Sequence, residues 1–195
     1  KGLELSKKGS HEEAVRAYDK AIEIDPQNAT LWLAKGQGLR SMAYGFSGQE
    51  RTTIEEAAIK AYDKAIKIDP NYSDAWGSKG YILLQIASRN KTVNMDVCNE
   101  SLYSFDKALE LNPKDANAWQ GRGTLLLGLN RFEEAIESYD RALESDPSYI
   151  GASQGKAQAF EALGRKNESA EAYDSSLETA DREIEAANSP ENLSQ

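Results

Sequence analysis

Apolar residues recur along the chain at intervals of three and four, which is the spacing of one face of an α-helix. The first set consists of Ala14, Tyr18 and Ala21, and it closes at Pro26. Proline disfavours the helical conformation in the residue before it, so the pattern predicts a helix that ends just before Pro26. Three later segments repeat the spacing: Ala58, Tyr62, Ala65 and Pro70; Ser101, Phe105, Ala108 and Pro113; and Ala135, Tyr139, Ala142 and Pro147.

A second helical pattern begins at each of three tryptophans, Trp32, Trp76 and Trp119. A basic residue, a glycine and a leucine follow each tryptophan at constant offsets. Pro113 and Pro147 are 34 residues apart, whereas the two preceding proline intervals are 43 and 44 residues. The chain therefore repeats a unit of 34 residues, and two of the units carry nine or ten extra residues. The residues after the tryptophans are Lys35, Gly36 and Leu39; Lys79, Gly80 and Leu83; and Arg122, Gly123 and Leu126.

A 34-residue unit with these residues at these positions resembles the tetratricopeptide repeat. The resemblance runs from about residue 1 to about residue 188. It implies an all-α fold, a right-handed α-solenoid of antiparallel helix hairpins in which neighbouring hairpins share one core. The repeats are predicted at about 1–28, 29–72, 73–115, 116–149 and 150–188, the second and third with insertions. The repeat-defining residues are Tyr18, Trp32, Gly36, Tyr62, Trp76, Gly80, Phe105, Trp119, Gly123, Tyr139 and Tyr173.

One departure from the family pattern is regular. The family usually has leucine before the first glycine, whereas this chain has Lys35, Lys79 and Arg122. We expect the long stems of these side chains to lie over apolar surface while their charges reach water.

The two ends of the array differ from its centre. The first repeat begins inside its first helix and has no tryptophan, which favours a fragment of a longer chain. In the last repeat Ser153 replaces the tryptophan and no proline closes the second helix. That helix is expected to run to about Asn188 as a solvating cap, and residues 189–195 are expected to be disordered. Its apolar stripe is predicted to contain Leu177, Ala180, Ile184 and Ala187.

The extra residues fall between the two helices of their repeats, in 41–53 and 88–98. Both insertions interrupt the same turn, so they map to one face of the array. Two interpretations stay open at this point. The insertions either lengthen helices or loops without a function, or they form a second recognition surface with Phe46, Val93 and Met95 as its contacts.

The resemblance also implies a concave groove lined by the first helix of each pair. Amides and hydroxyls on this surface can hydrogen-bond a bound peptide in either direction. The alternative is that they are ordinary solvated helix positions. The clamp of cations with which some members bind chaperone C-termini is not matched, because its positions hold Leu33, Gln37, Ser78, Asn117 and Gly121. The predicted groove residues are Leu33, Gln37, Arg40, Ser78, Tyr81, Gln85, Gln120, Thr124, Gln154 and Gln158.

The expected function is that of a non-catalytic scaffold, which captures a peptide or a partner helix in this groove. The alternative is a structural spacer within a longer solenoid, which associates with its own copies. A formal net charge of −9 repels nucleic acid and favours a neutral or basic protein partner.

The titratable residues give no sign of catalysis. A single cysteine and a single histidine make a disulfide framework or a His-based metal site implausible, so we expect no catalytic residue, metal or cofactor. No apolar run is long enough to span a membrane. The acidic pairs Glu12–Glu13, Glu55–Glu56 and Glu133–Glu134 recur at equivalent positions. They are interpreted as favourable charges at the start of second helices and not as catalytic carboxylates.

The compartment stays open. We favour the cytoplasm, with export and N-glycosylation as the alternative, because the chain has more Asn-x-Ser/Thr triplets than its composition predicts. They begin at Asn28, Asn71, Asn90, Asn99, Asn167 and Asn192.

Overall fold

The computed structural model describes residues 11–89 and 93–187, with residues 182–187 as backbone only. Nine helices and no strand occur within these ranges. The first helix of the first repeat, Asn90, Asn192, the tail 189–195 and the side chains of Ile184 and Ala187 lie outside the described residues. The helices are α1 His11–Ile24, α2 Ala29–Ala43, α3 Gly48–Ile68, α4 Ser73–Arg89, α5 Met95–Leu111, α6 Ala116–Gly128, α7 Phe132–Ser145, α8 Ile150–Ala162 and α9 Lys166–Ala187.

These helices form hairpins, because short turns join successive helices that pack side by side. The all-α solenoid predicted from the sequence is confirmed. The chain divides into two compact units, Lys1–Pro113 and Lys114–Gln195. The first unit contains α1 to α5 and the second contains α6 to α9. The repeat boundaries and the single array over 1–188 stay predictions.

The core of the first unit depends on an aromatic ring that packs onto a glycine. Tyr62 of α3 is fully buried, and a Cβ on Gly36 of α2 would lie 2.5 Å from its Cε1 atom. Phe105 of α5 packs in the same way on Gly80 of α4. The glycine leaves the space that the ring fills, so the two helices of each hairpin approach closely.

The spacing between tryptophan and proline also has a physical cause. Trp32 occupies the fourth position of α2, and its Nε1–H donates a hydrogen bond to the carbonyl oxygen of Pro26 at 3.0 Å. Trp76 stands at the fourth position of α4 and bonds the carbonyl oxygen of Pro70 at 3.0 Å. The indole therefore caps a carbonyl in the turn that precedes its own helix.

In the second unit the ring of Tyr139 on α7 meets two glycines. A Cβ on Gly123 of α6 would lie 2.8 Å from the Cε1 atom of Tyr139, and a Cβ on Gly155 of α8 would lie 2.6 Å from the same atom. Gly155 was not among the predicted repeat-defining residues. It allows α8 to pack closely on α7, which belongs to the preceding repeat.

The expectation that the cations before the glycines reach water is wrong for Lys79. Its side chain is 11% exposed and pairs with Asp63 at 2.7 Å and Glu100 at 2.8 Å. The ammonium lies where a second helix presents an aspartate, so an ion pair offsets the cost of burial. Burial lowers the pKa of Lys79, but the bonds to both carboxylates outweigh it and raise the pKa above its usual value.

Equivalent pairs occur in both units at the same sequence separation. Lys35 pairs with Asp19 at 2.6 Å in the first unit, and Lys156 pairs with Asp140 at 2.6 Å in the second. In each case the lysine lies on the first helix of a repeat, next to a glycine in the sequence. The aspartate directly follows the core tyrosine of the preceding repeat.

The first insertion lengthens α3, and the second lengthens α4 and α5. Helix α3 has 21 residues and α4 and α5 have 17 each, whereas α6 and α7 have 13 and 14. The expected position of Glu55 at the start of its helix is therefore wrong, because α3 begins at Gly48. The expectation holds for Glu12 and Glu133, which lie in the first turns of α1 and α7.

Glu55 joins the two insertions instead. It is 3% exposed and accepts hydrogen bonds from Arg51 at 2.9 Å and from both terminal nitrogens of Arg89 at 2.6 and 2.5 Å. A second bond runs from Nε2 of Gln85 to the Tyr44 hydroxyl at 2.6 Å. The extended ends of α3 and α4 are thus held together by polar contacts.

Helix α9 has 22 residues, and its buried face differs from the predicted stripe. Leu177 is 62% exposed, whereas Ser169, Ser176 and Thr179 are buried. Small side chains let α9 pack closely on the rest of its hairpin, and Leu177 is left facing outward.

Candidate functional site

The first-helix surface of the first unit is formed by α2 and α4, which contact each other. Gln37 is exposed on this surface, and Ser78 is half-buried. Leu33, in contrast, is 5% exposed and belongs to the apolar core with Leu39 and Val15. Its side chain is therefore not available as a surface contact, and the remaining predicted residues form the candidate surface.

Arg40 and Tyr62 form the most unusual polar pair on this side of α2. The Nε atom of Arg40 and the hydroxyl of Tyr62 are both buried, and neither has a hydrogen-bond partner among the described protein atoms. Burial raises the pKa of Tyr62 to about 12, and the nearby positive charge of Arg40 only partly offsets this. Buried polar groups in proteins are almost always hydrogen-bonded. Because both atoms are inaccessible to solvent, the pair lies in the interior behind the candidate surface.

The two other predicted residues on α4 make contacts within the protein. Tyr81 packs edge to face on Phe105, with ring centroids 5.1 Å apart. Gln85 donates to Tyr44 in the turn between α2 and α3. Tyr81 therefore contributes an aromatic edge that the core holds in place, and the amide of Gln85 is used to hold the insertion turn.

In the second unit the corresponding surface is formed by α6 and α8. Gln120 and Thr124 bond to each other, with the Gln120 amide donating to Oγ1 of Thr124 at 3.1 Å. Thr124 also accepts a long bond of 3.4 Å from the Tyr139 hydroxyl. Gln154 and Gln158 are exposed on α8. This surface offers open amides on one helix and internally bonded polar groups on the other.

A separate group of exposed apolar residues lies at the two insertion turns of the first unit. Phe46, Val93 and Met95, which the sequence suggested as contacts, are all exposed. Tyr44 is exposed beside them in sequence and was missed. The signal for it was the aromatic pair at positions 44 and 46 within a glycine-rich turn.

The described residues contain no group of three or more His, Cys, Asp or Glu side chains that could hold a metal ion. No helix in the ranges that the structure describes is long and apolar enough to cross a membrane. Cys98 is buried, and burial raises the pKa of its thiol. A raised pKa disfavours the thiolate, so this cysteine lacks the environment of a nucleophile.

Comparisons with known proteins agree on the repeat. Models of the TPR repeat and of the tetratricopeptide repeat match residues 2–37, 61–93 and 116–149, which together make up more than half of the chain. No curated protein matches the sequence.

Solved structures share the fold at low sequence identity. A crystal structure of MamA has a TM-score of 0.77 and 23% identity, covering 94% of this chain and 96% of its own. A fragment of MamA from Desulfovibrio magneticus RS-1 has a TM-score of 0.76 and 21% identity, covering 93% and 92%. YrrB, a TPR protein with an unusual peptide-binding site, has a TM-score of 0.65 and 20% identity, covering 91% and 82%. The chain belongs to the tetratricopeptide repeat family of protein-interaction scaffolds.

Proposed function

We propose that this chain is a non-catalytic scaffold that binds an extended peptide or a partner helix on the first-helix surface of its first unit. The observation that carries the proposal is the set of side chains on this surface, namely the exposed amide of Gln37, the half-buried Arg40 and the aromatic edge of Tyr81. A backbone carbonyl is an acceptor that every peptide supplies. The cationic side chain of Arg40 can donate to it.

Neighbouring side chains supply the other contacts that a peptide needs. Gln37 lies three residues before Arg40, so both side chains are on one face of α2. The exposed Gln37 amide can donate and accept, and the edge of Tyr81 on α4 offers apolar contact. Polar contacts beside a partly buried aromatic ring are the usual composition of a peptide-binding surface.

The net charge of −9 supports a neutral or basic peptide at this surface, because the field of an acidic chain attracts positive charge and repels negative charge. The second unit supports the same kind of contact through Gln154 and Gln158.

The proposal is tested with a library of random 12-residue peptides selected on the wild-type chain. Enriched peptides are then titrated against Arg40→Ala and Gln37→Ala. We expect Arg40→Ala to weaken binding at least tenfold, since it removes a charged donor from a partly buried position. Arg16→Ala is the matched control, because Arg16 is an exposed arginine whose ion pair with Glu12 lies on the surface of α1. Equal binding by wild type and Arg40→Ala would rule out this surface as the peptide site.

Self-association is the second candidate function. It is favoured by the exposed apolar side chains of Tyr44, Phe46, Val93 and Met95, because exposed apolar groups of this kind mark interaction surfaces. Light scattering over a hundredfold range of concentration distinguishes the two. A mass that rises with concentration in the wild type, and does not rise in Phe46→Ser with Val93→Ser, would support assembly through the insertion turns.

A further inference from the structure

A cleft of about 460 Å³ lies between α2 and α3 in the first unit. Its floor contains the ring of Trp32 and the small side chains of Ala57 and Ala61. Trp32 precedes Gln37 by five residues, which places the two about 140° apart around the helix axis. The cleft therefore lies on a different face of α2 from the proposed peptide surface.

Three lysines of α3, Lys60, Lys64 and Lys67, line one side of this cleft. Their spacing of four and three places them on one face of the helix, and all three are exposed. Among the described residues none of the three forms an ion pair. The other charged groups in the cleft are already paired, Lys35 with Asp19 and Asp63 with Lys79. The cleft thus carries three unpaired positive charges in a chain whose net charge is −9.

The floor of the cleft is apolar. The Nε1–H of Trp32 is bonded to the Pro26 carbonyl, and the Lys35 ammonium lies over the ring, 5.5 Å from its centroid. The part of the indole that Lys35 leaves uncovered offers apolar surface. Alanines at 57 and 61 leave room for one aliphatic side chain beside the ring. The methylene stems of the lysines can cover that side chain while their ammonium groups bind anions at the rim.

We propose that this cleft binds an acidic segment of a partner protein, with one aliphatic side chain on Trp32 and carboxylates on either side that pair with Lys60, Lys64 and Lys67. Charge complementarity identifies the occupant, since only an anionic segment neutralises three adjacent cations. This site is separate from the first-helix surface, and its chemistry is opposite to that of the neutral or basic peptide expected there.

The set of three lysines is not imposed by the repeat. A cleft of about 290 Å³ between α8 and α9 in the second unit has Glu171 and Ser175 where the first unit has Lys60 and Lys64, counted from Tyr173 and Tyr62. The same hairpin geometry is therefore compatible with the opposite charge. A basic residue recurs at the position of Lys64, as Lys20, Lys107 and Arg141, whereas every position equivalent to Lys67 holds a glutamate. The sequence therefore combines the three lysines in this repeat alone.

The test uses a seven-residue peptide with a central leucine and three acidic residues on each side, acetylated and amidated at its ends. It is titrated calorimetrically at about 50 mM NaCl, where charges about 10 Å apart are weakly screened. We expect binding that the double variant Lys60→Glu with Lys64→Glu weakens at least tenfold. The same peptide with glycine in place of leucine is expected to bind more weakly, and the same peptide with lysines in place of the acids is expected not to bind.

Lys20→Glu is the matched control. Lys20 follows Tyr18 by two residues, as Lys64 follows Tyr62, and it is exposed on α1 outside the cleft. We expect it to change the affinity less than twofold. Circular dichroism of each variant checks that the helices are retained, and Lys60→Ala with Lys64→Ala provides a second, milder removal of charge.

Four results would overturn the proposal. The first is no binding by the wild type, and the second is equal weakening by Lys20→Glu, which would mean that any positive charge suffices. The third is loss of binding in Arg40→Ala, which would place the acidic peptide on the first-helix surface. The fourth is concentration-dependent association of the chain alone that Lys60→Glu with Lys64→Glu abolishes, which would assign the cleft to a second copy. The Arg40 result separates failure of this proposal from failure of the peptide surface.

Discussion

The two clefts, one in each unit, share a position in the repeat and differ in charge. In the first unit Lys60 and Lys64 flank the core residue Tyr62, two residues before and two after it. In the second unit Glu171 and Ser175 flank Tyr173 at the same offsets. The tyrosine faces its hairpin partner, and residues two positions away face outward. The repeat therefore fixes its core residues while the outward positions differ more, although a basic residue at the position of Lys64 recurs in three other repeats.

A second difference between the units lies in their interiors. Seven residues before Tyr62 the first unit has Glu55, which is buried and bonded to Arg51 and Arg89. Seven residues before Tyr139 the second unit has Phe132. The insertions lengthen α3 and α4 enough to bring Arg89 to the carboxylate. The contact between Glu55 and Arg89 therefore depends on the extended helices α3 and α4 of the first unit.

The largest expected effect comes from removing that contact. Glu55→Ala leaves two arginines without their shared partner, and we expect the free energy of unfolding to fall by about 2–3 kcal/mol, less than for a fully buried pair because Arg89 is partly exposed. Glu134→Ala in the second unit removes a surface pair with Arg131 and should cost less than about 0.5 kcal/mol. Urea unfolding of both variants measures the difference. Equal losses would show that the insertions do not hold each other.

The next effect concerns the ring of Tyr139 in the second unit. In Gly155→Ala the new Cβ would overlap the ring, and we expect a loss of about 1–3 kcal/mol. Gly128→Ala is the control, because a Cβ there meets no atom within 4 Å. A helical alanine without a clash should stabilise the chain by up to about 1 kcal/mol. Thermal unfolding compares the two, and a neutral Gly155→Ala would mean that α8 packs less closely than described.

A smaller effect on stability is expected when the pH is lowered. Burial raises the pKa of Glu55, but the hydrogen bonds from Arg89 and Arg51 outweigh it, so the pKa in the folded state is below the usual 4.5. Because the pKa is lowered, ionised Glu55 stabilises the folded state at pH values above its pKa in the unfolded chain. This stabilisation is lost as the pH falls through the pKa of Glu55 in the folded state. We therefore expect the wild type to lose more stability than Glu55→Gln between pH 7 and pH 3. Parallel curves of stability against pH for the two proteins would contradict this.

The smallest effect separates the two core tyrosines. The Tyr62 hydroxyl has no partner among the described protein atoms, so Tyr62→Phe should stabilise the chain by about 0.5–1 kcal/mol. The Tyr139 hydroxyl donates a long bond to Thr124, and Tyr139→Phe should cost up to about 0.5 kcal/mol. Urea unfolding of both variants measures whether each substitution raises or lowers the free energy of unfolding. A loss of stability in Tyr62→Phe would show that its hydroxyl is satisfied in solution.

Much of the fold follows from local spacing. Prolines that end helices and glycines that face aromatic rings act within one hairpin, so their periodicity predicts the hairpins directly. The ion pairs of Lys35, Lys79 and Lys156 were missed, although each lysine follows its aspartate by 16 residues. That constant separation was a signal in the sequence that could have revealed them.

Other features depend on contacts between distant residues. Glu55 is buried because Arg89, 34 residues later, lies beside it. Counted from the core tyrosines, Glu56 and not Glu55 is the counterpart of Glu12 and Glu133, so the recurrence of acidic pairs did not indicate this contact. Leu33 lies in the core because neighbouring helices cover it, although its helical position resembles that of the exposed Gln37. The cleft between α2 and α3 is formed by the packing of the two helices, and its volume depends on how closely they approach. None of these properties has a local signature in the sequence.

The most direct measurement of the central claim transfers the charge pattern from one unit to the other. Lys60→Glu with Lys64→Ser gives the first cleft the residues of the second, and we expect it to abolish binding of the acidic leucine peptide in calorimetry. Glu171→Lys with Ser175→Lys in the second unit is the reciprocal control, and we expect it not to create a binding site, because that cleft has Ser153 in place of Trp32 and Glu168 in place of Ala57. Binding that survives Lys60→Glu with Lys64→Ser would contradict the claim that the lysines beside Tyr62 bind the acidic peptide.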